Sequence, residues 1–233
     1  QVTSTGDYVG GVVGRNTYYF YFIDSIPSYP SMKEWKGKIS TSYNTGAVSG
    51  GSYVGGVAGY NCVTIAQCFN TGSVTGSKNY TGGVVGCNDF VVNDDYADSP
   101  FGDIVMIYPS DIQDTYNAGA VTGVDYVGGV VGEQRGGKVE GQKKGGTCAY
   151  SHNYGNVSSS GQGTYIGGVF GHLGEDASAN ECYYLEGTAS SYGQQNSSAT
   201  VTNVESKTLG QFASGEVAFL LDEPNTTSQV WGQ

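Results

Sequence analysis

The sequence predicts an all-β protein folded as a right-handed parallel β-helix-like solenoid of about five coils. Two short phrases that alternate along the chain carry this prediction, since internal repetition at a period of about 20–50 residues is typical of solenoids, propellers and arrays. The first phrase is Tyr-x-Gly-Gly-Val-x-Gly, found at residues 8–14, 53–59, 80–86, 126–132 and 165–171. The second phrase begins with Tyr, Phe or His, followed by Asn-x-Gly-x-Val. It occurs at residues 43–50, 69–76, 116–123 and 152–159, each time before one of the last four copies of the first phrase.

Composition narrows the class of protein. The 233 residues include 39 Gly but only 5 Pro, so the Gly excess is not collagen-like and follows the repeats instead. The net charge of −11 argues against nucleic acid or an anionic membrane as partner, because both need a basic surface. No apolar run approaches the ~20 residues of a membrane-spanning helix.

The start of the chain matches the interior of a repeat. Val2 lies six residues before Tyr8, just as Val74 lies six residues before Tyr80. We therefore expect the chain to be covalently part of a longer protein.

The shortest spacing between copies, 27 residues from Tyr53 to Tyr80, is interpreted as the bare coil. A propeller is the alternative fold, but its blades need about 40 residues or more. An aliphatic residue repeated between glycines predicts a short strand with one side chain in a narrow core, and two such strands per coil. The core valines predicted from the first phrase are Val12, Val57, Val84, Val130 and Val169, and those from the second are Val48, Val74, Val121 and Val157.

Two further repeat positions predict backbone geometry. The Gly pairs are assigned to corners, where either a positive φ or a close backbone approach excludes a side chain. An asparagine recurs two residues before a Gly, and Asn amides stacked on successive coils would form a hydrogen-bonded ladder. The predicted ladder consists of Asn44, Asn70, Asn117 and Asn153.

The two phrases together resemble the GLUG motif repeat, over about residues 1–190. Here the motif's Leu is Val in every copy. The resemblance implies a secreted or cell-surface bacterial protein, since the family includes large adhesins and some immunoglobulin A metallopeptidases.

Three insertions, at residues 15–41, 87–114 and 133–151, leave from the same point of the repeat. We expect them to project from one edge, which is often the binding face of a solenoid. The first is aromatic; it packs with the second against the solenoid flank or else exposes rings as an adhesive or carbohydrate-stacking surface. The candidate binding residues there are Tyr18, Tyr19, Tyr21, Tyr29 and Trp35.

The second insertion is acidic. Asp94, Asp95 and Asp98 are candidate binding residues and could hold Ca²⁺ through carboxylate oxygens. The segment lacks the spaced order of an EF-hand loop, and no other cofactor is predicted. The third insertion is rich in Gly and Lys.

Residues 191–233 are predicted to be a polar loop followed by a helical cap or linker. Two short helices, at 206–213 and 214–222, are each expected to begin at a Ser N-cap and to cover the open end of the core. The Asn ladder should end at Tyr184, which replaces the asparagine.

The five cysteines argue against a disulfide scaffold, although a Cys62–Cys87 bridge stays open. Cys68 and Cys182 occupy a repeat position that otherwise holds Ser or Thr, which predicts a buried stack of small residues. His152 replaces the ring of the second phrase and is interpreted as structural.

The sequence contains no metallopeptidase, nucleophile-elbow or phosphate-loop motif, so we predict no catalytic residues. The favoured function is a non-catalytic extracellular binding or adhesion module of a larger bacterial surface or secreted protein, whose partner is a host glycoprotein or glycan. The alternative is a passive spacer or the accessory domain of a secreted metallopeptidase. A weaker alternative is a glycan-cleaving β-helix enzyme, suggested by the acidic insertion.

Overall fold

The computed structural model describes residues 1–23, 31–93, 106–108, 110–139, 142–222 and 231. It confirms an all-β solenoid in which strands of successive coils pair in parallel. The bare coil contains five short strands, not the two that were predicted, because the chain turns at the Gly pair and again at a bend before Cys68. These strands are β8 (Val48–Gly50), β9 (Val54–Gly55), β10 (Ala58–Asn61), β11 (Thr64–Ala66) and β12 (Phe69–Asn70).

Stacking of the coils produces four parallel sheets, named A to D in the order in which the chain visits them. Sheet A contains β1 (Val2–Thr3), β8, β13 (Val74–Gly76), β20 (Val121–Gly123) and β26 (Val157–Ser159). Sheet B contains β2 (Val9–Gly10), β9, β14 (Thr81–Gly82), β21 (Val127–Gly128) and β27 (Ile166–Gly167). Sheet C contains β3 (Val13–Asn16), β10, β15 (Val85–Asn88), β22 (Val131–Gln134), β28 (Phe170–Leu173) and β30 (Gln194–Gln195).

Sheet D has two halves separated by the bend, and its last three strands run through both. Its strands are β6 (Lys38–Ser40), β7 (Tyr43–Asn44), β11, β12, β18 (Asp111–Gln113), β19 (Tyr116–Asn117), β25 (Thr147–Asn153), β29 (Ser178–Leu185) and β31 (Thr200–Lys207). Three antiparallel pairs stand outside the sheets: β4 (Tyr18–Ile23) with β5 (Ser31–Lys36), β16 (Val91–Asn93) with β17 (Met106–Tyr108), and β23 (Gly136–Val139) with β24 (Gln142–Gly145).

The solenoid continues into a partial sixth coil. Residues 194–207 were predicted to be largely loop, but β30 pairs with β28 and β31 pairs with β29, both in parallel. The reason is apolar packing, since Val204 is buried in the main core and Val201 packs against it.

The predicted valines fill the interior. Val57, Val84, Val130 and Val169 are fully buried in one core cluster, and the valines of the second phrase are buried in another. Val12 departs from this pattern with 41% of its surface exposed, because it lies on the first coil of the stack. An adjoining column holds Ile39, Ile65, Ile112 and then Cys148 in register.

The Gly pairs are required by close packing and not by backbone dihedrals. A Cβ on Gly56 would lie 2.2 Å from the carbonyl oxygen of Gly83 and 2.3 Å from Cγ of Asn70. Among the described glycines, positive φ occurs only at Gly187, Gly193 and Gly215.

Between sheets A and B, the left-handed residue on the first four coils is instead the motif tyrosine. Tyr8, Tyr53, Tyr80 and Tyr126 have φ between 54° and 69°, which costs about 1–2 kcal/mol per residue. Their rings stack in a column with centroids 4.7–4.8 Å apart, and each contact contributes about 0.5–1.5 kcal/mol. Stacking therefore offsets much of the strain.

The predicted asparagine ladder is present. The Nδ2 group of Asn44 donates to Oδ1 of Asn70 at 2.7 Å, and the bond repeats at 2.7 Å to Asn117 and 2.8 Å to Asn153. Each Nδ2 also donates to the carbonyl of the Gly two residues later. Tyr184 lies in register after Asn153 and ends the ladder.

All five cysteines are free and buried, so the Cys62–Cys87 bridge does not form. Cys68 and Cys182 occupy the predicted column of small residues. Their thiols donate to the carbonyls of Ala66 and Asn180, as the hydroxyl of Ser151 donates to Ala149.

Two helices follow the last coil: α1 (Leu209–Ala213) and α2 (Glu216–Leu221). Their N-caps are Thr208, within a capping box, and Gly215, and not the predicted serines. The predicted start at Ser206 is wrong because Ser206 still pairs with Tyr184 in sheet D. No described helix is long and apolar enough to cross a membrane.

The helices cover the outer side of sheet D and not the end of the core. Val217 and Leu221 are buried against Tyr183. Phe212 and Trp231 contact the ring of His152, which itself stacks on Tyr116 at 5.1 Å.

The ladder provides a first test. Asn117→Ala would remove buried hydrogen bonds to Asn70, Asn153 and the backbone of Gly119, so we expect a loss of about 2–4 kcal/mol in the free energy of unfolding. The measurement is the urea midpoint, with Asn44→Ala on the half-buried first rung as the matched control. Equal losses in the two variants would contradict a role for the interior rungs.

His152 provides a pH test. Burial lowers the pKa of His152 to about 4, so the folded state excludes a proton that the unfolded chain binds below about 6.5. The contribution of His152 to the free energy of unfolding should be fully present above pH 6.5. It should fall as the pH drops towards 4, by at most about 3 kcal/mol because the residue is only partly buried.

The His152→Phe variant keeps an aromatic ring that can stack on Tyr116. Its stability, measured as the urea midpoint, should therefore fall less between pH 7 and pH 4 than that of the original protein. Parallel curves for the variant and the original protein would show that His152 does not exclude the proton.

Candidate functional site at the hairpin corner

The three antiparallel pairs, hairpins 1, 2 and 3 in chain order, all leave from the corner between sheets C and D. Hairpin 1 lies between β3 and β6, hairpin 2 between β15 and β18, and hairpin 3 between β22 and β25. They therefore stand on coils 1, 3 and 4 along one edge, as predicted.

The bare coil shows the corner without an insertion. Cys62 and Val63 alone connect β10 to β11. Removing residues 18–36, 90–109 or 136–145 would leave the same two-residue connection: Thr17 with Gly37, Asp89 with Ser110, or Arg135 with Gly146. The last pair is already joined by a backbone hydrogen bond of 3.4 Å. The hairpins are additions to a corner that closes without them.

The predicted aromatic residues fall in hairpin 1. Tyr18, Tyr19 and Tyr21 lie on β4 and Trp35 on β5, with Tyr19 directly opposite Trp35 in the register. Tyr29 lies outside the described residues.

The predicted calcium ligands Asp94, Asp95 and Asp98 also lie outside the described residues. Within the described ranges, no group of three or more His, Cys, Asp or Glu side chains is placed to hold a metal ion.

A charge network ties the bases of hairpins 2 and 3 together, and the sequence analysis missed it. Arg135 donates from Nη1 to Oδ2 of Asp89 at 2.9 Å and from Nε to Oε2 of Glu133 at 2.7 Å. The hydroxyl of Tyr60, on the bare coil, donates to the same oxygen of Asp89 at 2.7 Å. Only 13% of the Asp89 and Glu133 side chains is exposed, so these bonds are shielded from water.

The sequence does contain a signal for the Asp89–Arg135 ion pair. Asp89 and Arg135 each stand three residues after the Gly that ends a first-phrase copy. Opposite charges at one repeat position on adjacent coils predict an ion pair once the coils are stacked in register.

The network sets the protonation of its members. Burial opposes ionisation of Glu133, but contact with His172 and Arg135 outweighs it and lowers the pKa of Glu133. Burial, and then the Asp89 carboxylate, raise the pKa of Tyr60, so its phenol stays a proton donor. Burial raises the pKa of the Cys87 thiol, which makes it a poor nucleophile.

A second amide ladder runs under the corner. Nδ2 of Asn16 donates to Asn61 at 2.9 Å, Asn61 to Asn88 at 2.6 Å, and Asn88 to Oε1 of Gln134 at 2.8 Å. Asn88 also donates to the carbonyl of Ser110, across the base of hairpin 2, at 3.2 Å. These amides stand two residues after the Gly that ends each first phrase, a periodicity that the sequence analysis overlooked.

The motif tyrosines flank the network. The guanidinium of Arg135 lies 5.4 Å from the ring centre of Tyr80, and that of Arg15 lies 5.6 Å from Tyr8 and 5.3 Å from Tyr60. The tyrosine faces stack on each other, and Tyr60 and His172 make edge-to-face contacts with the column. The charged groups bind each other, and the Asp89–Arg135 contact joins the bases of hairpins 2 and 3.

Comparison with protein-family models, curated proteins and solved structures finds no match to this chain.

The network can be tested by Arg135→Met, which removes the cation that two shielded carboxylates share. We expect a loss of about 2–4 kcal/mol in the free energy of unfolding at pH 7. The matched control is Lys78→Met, which breaks the exposed Lys78–Asp7 pair and should cost much less, because exposed ion pairs contribute little to stability. If urea unfolding showed that Arg135→Met and Lys78→Met lose the same free energy of unfolding, the stabilising role of the charge network would be contradicted.

The same variant carries a pH signature. The pKa of Glu133 is lowered, so its stabilisation is present above the unfolded pKa and is lost as the pH falls through the folded pKa. The excess loss in Arg135→Met should therefore shrink as the pH drops below about 4.3. An excess loss that does not change with pH would show that the charges are not responsible.

Proposed function

We propose that this chain is a non-catalytic extracellular binding module of a larger bacterial surface or secreted protein, and that its hairpins recognise a host glycoprotein or glycan. The observation that carries the proposal is the placement of three hairpins on one corner that closes with two residues when they are absent. A solenoid that served only as a rod would need none of them.

Rigidity of the base supports recognition. Side chains presented by a fixed scaffold lose less conformational entropy on binding than those of a free loop. Here the bases of hairpins 2 and 3 are joined by the Asp89–Arg135 ion pair, and the second amide ladder runs beneath them.

Composition supports the ligand class. Hairpin 1 carries Tyr18, Tyr19, Tyr21 and Trp35, and aromatic side chains give large contact areas at low entropic cost and stack on apolar ring faces. The net charge of −11 disfavours polyanionic partners. The likeness to GLUG repeats supports the extracellular setting.

A passive spacer is the second candidate. Five stacked coils at about 4.8 Å each make a rod of about 24 Å, and two amide ladders stiffen it. This candidate requires no ligand.

The test is excision of residues 18–36, which leaves a two-residue corner and removes the aromatic hairpin. The original chain and the variant are applied to a glycan array and to mucin- and immunoglobulin-coated plates, with and without Ca²⁺. We expect saturable binding that is lost in the variant, while the far-UV CD signal of the sheets is retained.

The matched control is excision of residues 136–145, a hairpin without aromatic residues, which should keep binding. Binding that survives both excisions would move recognition away from the hairpins. No binding by the original chain in any lane would favour the spacer.

A further inference from the structure

A groove of about 440 Å³ lies on the outer side of sheet D, away from the hairpin corner. Its lining comes from the last three coils and from α2. The volume falls within the range of about 300–1,000 Å³ that holds small ligands or side chains.

The repeat geometry explains the groove. The residue at the bend of sheet D is left-handed on every coil, and on the last three coils this residue is Tyr150, Glu181 or Asn203, with φ of 48°, 48° and 51°. Their registered neighbours keep these three residues in one column, and all three line the groove. The opposite wall is α2, on which Phe219 leaves 74% of its surface exposed.

The charged groups that line the groove are all carboxylates, and the other polar groups are amides and phenols. Glu181, Glu205 and Asp222 contribute carboxylates. The hydroxyl of Tyr183, at 2.5 Å, and the amide of Asn203 both donate to Glu181, so these two donors are already engaged. A carboxylate has about four acceptor positions; the groove therefore favours a ligand that brings donors and positive charge.

The protein already seats one ammonium group at this place. Nζ of Lys207 lies 2.9 Å from Oε1 of Glu205 and 5.2 Å from the ring centre of Tyr183. Only 12% of the Lys207 side chain is exposed. Glu205 and Tyr183 thus already hold a cation by an ion pair and a cation–π contact. Tyr150 and Phe219 add further aromatic rings to the lining.

We propose that this groove binds a lysine or arginine side chain from a basic segment of a partner protein. The carboxylates pair with the cation, the rings cover its apolar stem, and the net charge of −11 attracts a basic partner. A neutral sugar would bring no positive charge to the three carboxylates of the groove.

The probe is acetyl-Gly-Lys-Gly-amide, titrated into the ¹⁵N-labelled chain and followed by NMR. Shifts should concentrate on residues 180–183, 203–205 and 219–222, and binding should weaken severalfold when NaCl rises from about 50 mM to about 500 mM. The same peptide with norleucine in place of Lys keeps the stem without the charge and should bind at least tenfold more weakly.

The variant Phe219→Ala with Glu205→Gln alters two exposed groove residues and should weaken the lysine peptide at least tenfold. The matched control, Leu209→Ala with Glu216→Gln, makes comparable changes on α1 and α2 outside the groove and should bind as the original does. Excision of residues 18–36 should also leave this binding unchanged, so failure here is distinguishable from failure of the hairpin proposal.

Three results would overturn the proposal: equal binding of the norleucine peptide, equal loss in the two double variants, or no binding of the lysine peptide. A neutral oligosaccharide that shifts the same residues when the lysine peptide does not would assign the groove to a glycan instead.

Discussion

The structure depends on pairing buried amides between coils. In a solenoid this narrow, an asparagine that faces inward has no water to bond, so its amide must meet the same group one coil away. Asn70 and Asn117 do this in one ladder, and Asn61 and Asn88 do it in another. A slip of one residue would break both ladders at once. The amides therefore fix the register together with the apolar core, whose valines a one-residue slip would turn away from the interior.

The candidate site follows from that register. Once coils 3 and 4 are locked, Asp89 and Arg135 stand beside each other and join the bases of two hairpins. The tyrosine column follows in the same way, because the register places the motif tyrosines of successive coils directly above one another. The bend column on the last three coils has the same backbone geometry as on the earlier coils, and it forms a groove where α2 supplies the opposite wall.

Much of the fold could be predicted because a repeat displays the same physical requirement several times. Val57 and Asn70 recur in register, so their burial and pairing were readable from spacing alone. The candidate site was harder to predict from the sequence, since Asp89 and Arg135 occupy the same repeat position but are residues of different types. The hairpin residues were identified by composition, which predicts chemistry but not the positions of side chains.

The sequence by itself determined the coil length, the core valines, one amide ladder and the point from which the insertions leave. Only the tertiary structure decided which residue takes the left-handed turn, that 194–207 add a partial coil, and that the helices cover sheet D. The physical reason is the range of the interactions. Periodic contacts between identical positions are encoded in spacing, whereas contacts between unlike groups on different coils exist only after the coils have stacked.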